Sequence, residues 1–156
     1  MTMKNITFRE ATAEDAKYVA SRLRKADVAE VLALGCPPEK AVEMSRYSSD
    51  FAWTALINGE PVMLFGCGCS LTSPVAEVWA LGTDACTAVP RDMLVYGRQK
   101  IREMLDIYPE MQNYCDARYT AAHRWLKKLG FVIGDPVPYG PKGSLFCKIY
   151  IRKEGL

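Results

Sequence analysis

Residues 119–131, YTAAHRWLKKLGF, decide how the chain is read. Ala122, Trp125, Leu126 and Leu129 fall at i, i+3, i+4 and i+7, which predicts one buried helical face with Arg124, Lys127 and Lys128 turned to water. Gly130 can take the left-handed conformation that stops a helix, and Phe131 can fold back over its last turn. The stretch also carries the chain's single histidine, His123, beside the apolar stripe. An imidazole has the intrinsic pKa of a general base, but no carboxylate stands one helical turn away, so a structural role is expected.

Before this helix, MQNYCDA reads as a short strand, and Pro109 ends a long helix that Pro90 opens, striped by Met93, Tyr96, Ile101, Met104 and Leu105. Upstream, VAEVWALGT (75–83) reads as a strand buried on at least one face by Val75, Val78, Trp79 and Leu81, set off by the Ser73-Pro74 break. FAWTALI and PVMLFGCGC, joined by Asn58-Gly59-Glu60, read as a hairpin. NITFREA alternates like a half-buried strand, and Thr12-Ala13-Glu14-Asp15 supplies a capping hydroxyl with an acid three positions on. Helices follow there, in ADVAEVLAL up to Gly35, and after Pro37-Pro38 in PEKAVEMSRY. At the other end, GDPVPYGPKGS reads as a Gly/Pro-rich connection and LFCKIYIRK as a closing strand.

The 156 residues suit one domain, 1–156. Net charge is +2 with both signs interspersed, so no footprint for nucleic acid or anionic lipid is expected. The N-terminal residues lack the apolar core of a signal peptide and no run is long enough to span a bilayer, so a soluble, cytoplasmic protein is expected. Six cysteines without a C-x-x-C pair read as reduced, mostly buried thiols, Cys86 among them, and Cys67-Gly68-Cys69 falls short of a zinc site. No metal is expected.

This order of elements, with the FREAT start and the KKLGF helix end, resembles the GNAT acyl-CoA N-acyltransferases over essentially the whole chain. VWALGTD, the following long helix, YTAAHRWLKKLG and LFCKIYI are, more narrowly, similar to the GNAT-like internal core (virion) proteins of short-tailed bacteriophages. The fold so implied is α/β (α+β): a mixed, mostly antiparallel sheet of six to seven strands, flanked by four to five helices, with a splay between the fourth and fifth strands. The resemblance places the pantetheine arm of acetyl-CoA along Trp79 to Thr83, hence Leu81, Gly82 and Thr83. It places the phosphates on the turn from Ala85 through Arg91 and Asp92, where a helix N-terminus favours an anion.

Two departures stand out. Family members carry Arg/Gln-x-x-Gly-x-Gly/Ala at that turn, whereas ACTAVPRDMLVYGRQ has no paired glycines. Leu126 occupies the place, four residues before the glycine, where relatives carry the tyrosine that protonates the departing thiolate. Tyr119 is the remaining candidate on that helix. Glu77 on the strand bordering the cleft is read either as the base that deprotonates the amine or as an outward-facing surface glutamate, with Asp84 and Asp116 next.

Two functions follow from the resemblance. One is transfer of an acyl group from acetyl-CoA to an amine by direct attack; the other is a catalytically degenerate phage protein that binds a bacterial host protein or sits inside the virion. The expected partners are an acyl-CoA with an amine substrate, or that host protein in the host cytoplasm, with a homodimer admitted.

Overall fold

The computed structural model describes residues 5–69 and 75–155, so the Ser73-Pro74 break lies outside the described residues. The first strand, β1 (Ile6–Glu10), leads into α1 (Ala13–Ala20) through a capping box: Asp15 N donates to Thr12 Oγ1 at 3.1 Å while the Asp15 carboxylate accepts from Thr12 N. Helices α2 (Lys25–Ala33) and α3 (Pro38–Tyr47) follow, the latter opened by Pro38 where a missing N–H costs nothing. Strands β2 (Phe51–Ile57) and β3 (Glu60–Gly68) form the expected hairpin; Asn58 and Gly59 both hold positive φ, 50° and 82°, as a tight two-residue turn requires. Then come β4 (Ala76–Gly82), a 3₁₀ turn at Asp84–Ala88, α4 (Pro90–Ile107), β5 (Glu110–Asp116) and α5 (Thr120–Leu129).

The chain closes with β6 (Val132–Tyr139) and β7 (Ser144–Arg152). The segment read as a connection from its glycines and prolines is thus half strand. An edge strand tolerates Pro136 and Pro138, because its missing N–H groups can lie on the solvent side, and the register slips between Ile133 and Pro136.

All seven strands lie in one sheet, ordered β1-β2-β3-β4-β5-β7-β6, antiparallel except between β4 and β5. Helices α1 to α3 cover one face over Leu64 and Leu81. The other face, with Cys67, Met111 and Ile151, packs under α4 and α5 through Ile101, Met104, Leu105 and Leu129. Each such fully buried side chain contributes about 1.5–3 kcal/mol. The stripe of α5 packs into this second layer as its spacing predicts, and Gly130, at φ 108°, ends the helix while Phe131 N reaches back to Leu126 O at 3.0 Å. Among the described residues no helix is long and apolar enough to cross a membrane.

Candidate active site

The two parallel strands touch only at their start, Ala76 facing Met111 and Glu77 facing Gln112. A side chain ends the ladder. The next bond would run from Tyr114 N to Val78 O, but Asn113 takes both partners: its Nδ2 donates to Val78 O at 2.6 Å and its Oδ1 accepts from Tyr114 N at 2.7 Å. Asn113 is therefore a wedge, and beyond it the strands diverge.

The register decides which β4 amides face the gap. Thr83 N donates to Val62 O at 2.9 Å, and amides alternate along an antiparallel strand, so Leu81 and Trp79 also point toward β3. Val78, Ala80 and Gly82 point into the splay. Gly82 is already occupied: its N–H donates to Asp27 Oδ2 at 2.8 Å and its C=O accepts from Arg24 N at 3.0 Å. That leaves the N–H and C=O of Ala80 as edge groups without a partner among the described residues.

A continuous cavity of about 210 Å³ runs through the splay from the α2 side to the space beneath α4 and α5. On the α2 side stand Arg24, Asp27 and Glu30, none of which the sequence reading selected. Arg24 clasps Asp27 through Nε and Nη2 at 3.1 and 2.9 Å and reaches Cys86 Sγ with Nη1 at 3.1 Å. The signal was present in ADVAEVLAL: Asp27, Glu30, Val31 and Leu34 share the i, i+3, i+4, i+7 stripe, so two carboxylates sit among buried apolar positions.

Glu30 reaches from α2 to the β5 side of the gap, accepting from Asp116 N at 3.0 Å, near the level where continued parallel register would set Ala80 against Cys115. Burial pushes its carboxyl up to about 7, against the backbone bond from Asp116 and with the charge of Asp27 adding to the rise. Such a group exchanges protons near neutrality.

Tyr119 lines the same cavity from the N-terminus of α5, its ring 5.8 Å from the Arg24 guanidinium carbon. Burial first, then the charge of Asp27, raises its phenol, so it stays protonated and able to donate. Leu81 lines the cavity through its side chain alone. Thr83 is buried and tied to β3, and also bridges Leu23. Glu77 is exposed, on the Trp79 and Leu81 face of β4, and reaches Tyr139 only through its charge. Asp84, Arg91 and Asp92 are exposed around the 3₁₀ turn and the first turn of α4, outside the cavity lining. The structure therefore brings Leu81 and Tyr119 together with the α2 carboxylates, and leaves Glu77, Asp84, Arg91 and Asp92 on the surface.

His123 Nε2 lies 3.0 Å from Asp116 O, tying α5 to the end of β5. Asp116 itself is held below the usual carboxylate range by its hydrogen bonds with Arg118. Cys86 is buried and its thiol is raised by that burial. Among the described residues no disulfide joins two cysteines, and no group of three or more His, Cys, Asp or Glu could hold a metal ion.

No family model and no curated protein sequence matches the chain. Solved structures do. An acetyltransferase of the GNAT family from Bacillus anthracis is similar at TM-score 0.69 and 9% identity, over 96% of this chain and 95% of that one. The ribosomal-protein-S18-alanine N-acetyltransferase from Escherichia coli aligns at 0.63 and 15%, over 95% and 94%. The aminoglycoside acetyltransferase AAC(6')-Ib, in complex with coenzyme A, aligns at 0.62 and 18%, over 97% and 96%. At these identities the likeness establishes the fold, which is the GNAT fold.

Proposed function

We propose that the chain is an acyl-CoA-dependent N-acyltransferase whose chemistry takes place in the splay held open by Asn113. The observation that carries this reading is the coincidence, in one cavity, of an unpartnered backbone edge at Ala80, a carboxyl at about pKa 7 on Glu30 and a protonated phenol on Tyr119. Coenzyme A bound to AAC(6')-Ib supports the same ligand class here.

An acyl thioester supplies the acyl group. The Ala80 N–H, fixed by the β4 backbone, is the donor for the thioester oxygen, a geometry that stabilises the charge developing there. Glu30 accepts the proton that the attacking amine loses as its C–N bond forms. Tyr119 delivers a proton to the sulfur as the C–S bond breaks. Both proton carriers belong to the chain, and no covalent enzyme intermediate is needed. Glu77, exposed on the same strand, takes neither proton on this reading. The exposed Arg91, beside Asp92, is the side chain offered to the phosphates in place of paired glycines.

The test is mass-spectrometric detection of acyl transfer to a panel of amines. Wild type is expected to modify at least one, and Glu30→Gln to lower the rate on the order of 10²- to 10⁴-fold. Equal rates in both would remove Glu30 from the mechanism; no transfer by either, with no binding of acetyl-CoA, would remove the reading.

A second reading is a catalytically degenerate GNAT-fold protein that binds a bacterial host protein or sits inside the virion, and one observation, an obstructed path for the arm, speaks for the loss of catalysis. Arg24 and Asp27 occupy both edge groups of Gly82, two residues from Ala80 on the path an arm would take toward α4. On that reading acetyl-CoA fails to bind even after Asp27→Ala frees the Gly82 N–H, and a host protein is retained instead.

A further inference from the structure

We propose that the acyl group handled in the splay is a linear aliphatic chain of about six to eight carbons, lodged in an apolar lobe of the cavity beneath α4. This rests on the acyltransferase reading and specifies its substrate.

The cavity does not stop at Ala80. Phe65 faces Ala80 across the β3–β4 ladder and Met63 faces Gly82, so the three side chains at 63, 65 and 80 floor the same face of the sheet. Met93 of α4 and Trp125 of α5 pack over them in one cluster. Phe8 of β1 stands at the far end, its ring centroid 5.9 Å from that of Phe65 and set edge-on. The polar side chain on this stretch is Lys100, at the rim, where Nζ is paired with Glu103 at 3.1 Å and lies 5.0 Å from the Trp53 ring. Everything named between Ala80 and Lys100 is apolar.

Its reach matches a chain, not a methyl. From β4 to β1 is three strand spacings of about 4.8 Å, or roughly 14 Å, and the Phe8 ring, leaning against Phe65 of β3, takes up about one of them, which leaves roughly 10 Å. A zigzag of 1.5 Å bonds advances roughly 1.3 Å per carbon, so about eight carbons reach across the roughly 10 Å that remain and six stop about 2 Å short of the ring. An acetyl group would leave the lobe empty, and its walls would lack partner atoms on one side. The lobe is dry in character, since a water there would find too few polar partners. The bond exchange is unchanged: one C–S bond breaks, one C–N bond forms, the amine proton goes to Glu30, and nothing is oxidised or reduced.

The experiment is calorimetric titration of the intact wild-type protein with CoA, acetyl-, butanoyl-, hexanoyl- and octanoyl-CoA. Each methylene entering the lobe should tighten binding about fourfold, so hexanoyl-CoA is expected to bind on the order of 100-fold tighter than acetyl-CoA. Met93→Phe, or Met63→Phe if the first does not fold, narrows the lobe and should flatten the series while leaving CoA itself bound. A flat or rising Kd series in wild type, with CoA bound, overturns the lobe and leaves the acyltransferase reading standing. A series that tightens but ignores both narrowing variants places the chain elsewhere and also overturns it. Absence of binding by CoA and every acyl-CoA sinks the parent reading and the lobe together.

Discussion

Glu30→Gln should make the protein more stable in mild base, and the size of the effect follows from the carboxyl's surroundings. The group is raised from an ordinary 4.5 to about 7, chiefly by burial. Its proton is held more tightly in the folded state than in the unfolded one, so between those two values the native protein binds more protons and stability falls as pH rises. From pH 5 to pH 8 that loss is roughly 2–3 kcal/mol, since one pKa unit corresponds to 1.36 kcal/mol. Glutamine keeps an oxygen to accept from Asp116 N and has no charge to desolvate, so it should abolish the decline. Urea unfolding at pH 5 and pH 8 is the assay, and the wild-type thermal midpoint should drop by roughly 5–10 °C over the same interval. The carboxyls of Asp15, Asp50, Asp116 and Glu43 are all lowered and titrate below this window, so they do not mask the effect. An unchanged pH slope in Glu30→Gln would refute the assignment of a raised carboxyl at that position.

Three further outcomes follow from the same geometry. Asn113→Ala leaves Tyr114 N and Val78 O without their side-chain partners and should cost about 1–3 kcal/mol in urea unfolding, unless the strands zip together and leave no room for a thioester. Asp27→Ala strands a largely buried Arg24 and the Gly82 N–H, so a loss of about 3 kcal/mol is expected, and a loss below 1 kcal/mol would mean that water replaces the carboxylate. Gly130→Ala forces a side chain onto φ 108° and should lower stability by about 1–2 kcal/mol, read as a shift in midpoint at constant m-value.

Where local chemistry had only one solution, the sequence was legible. Asn58-Gly59 allows little but a tight hairpin, Pro90 marks a helix start, and Gly130 with Phe131 marks a helix stop. The strand at 132–139 was not legible, because Pro136 and Pro138 argue against strand everywhere except at an edge, and edge position is a property of the whole sheet. The site was less visible still. Glu77 and Asp84 looked placed for chemistry along the chain, but face alternation and the 3₁₀ turn put both in solvent. Asn113 looked like one polar residue in a strand; its effect as a wedge depends on Val78, 35 residues earlier. Asp27 and Glu30 were readable as carboxylates within an apolar stripe, yet their meeting with Gly82 and Asp116 is made only by the packing of α2 over the splay.

Amide hydrogen exchange at two neighbouring residues of β4 tests the open edge most directly. Ala80 should exchange fast in the free protein and slow markedly when acyl-CoA is added, while Leu81, bonded into the β3 ladder, stays slow throughout. An Ala80 amide as protected as Leu81 before any ligand, or indifferent to saturating acyl-CoA, would contradict the account.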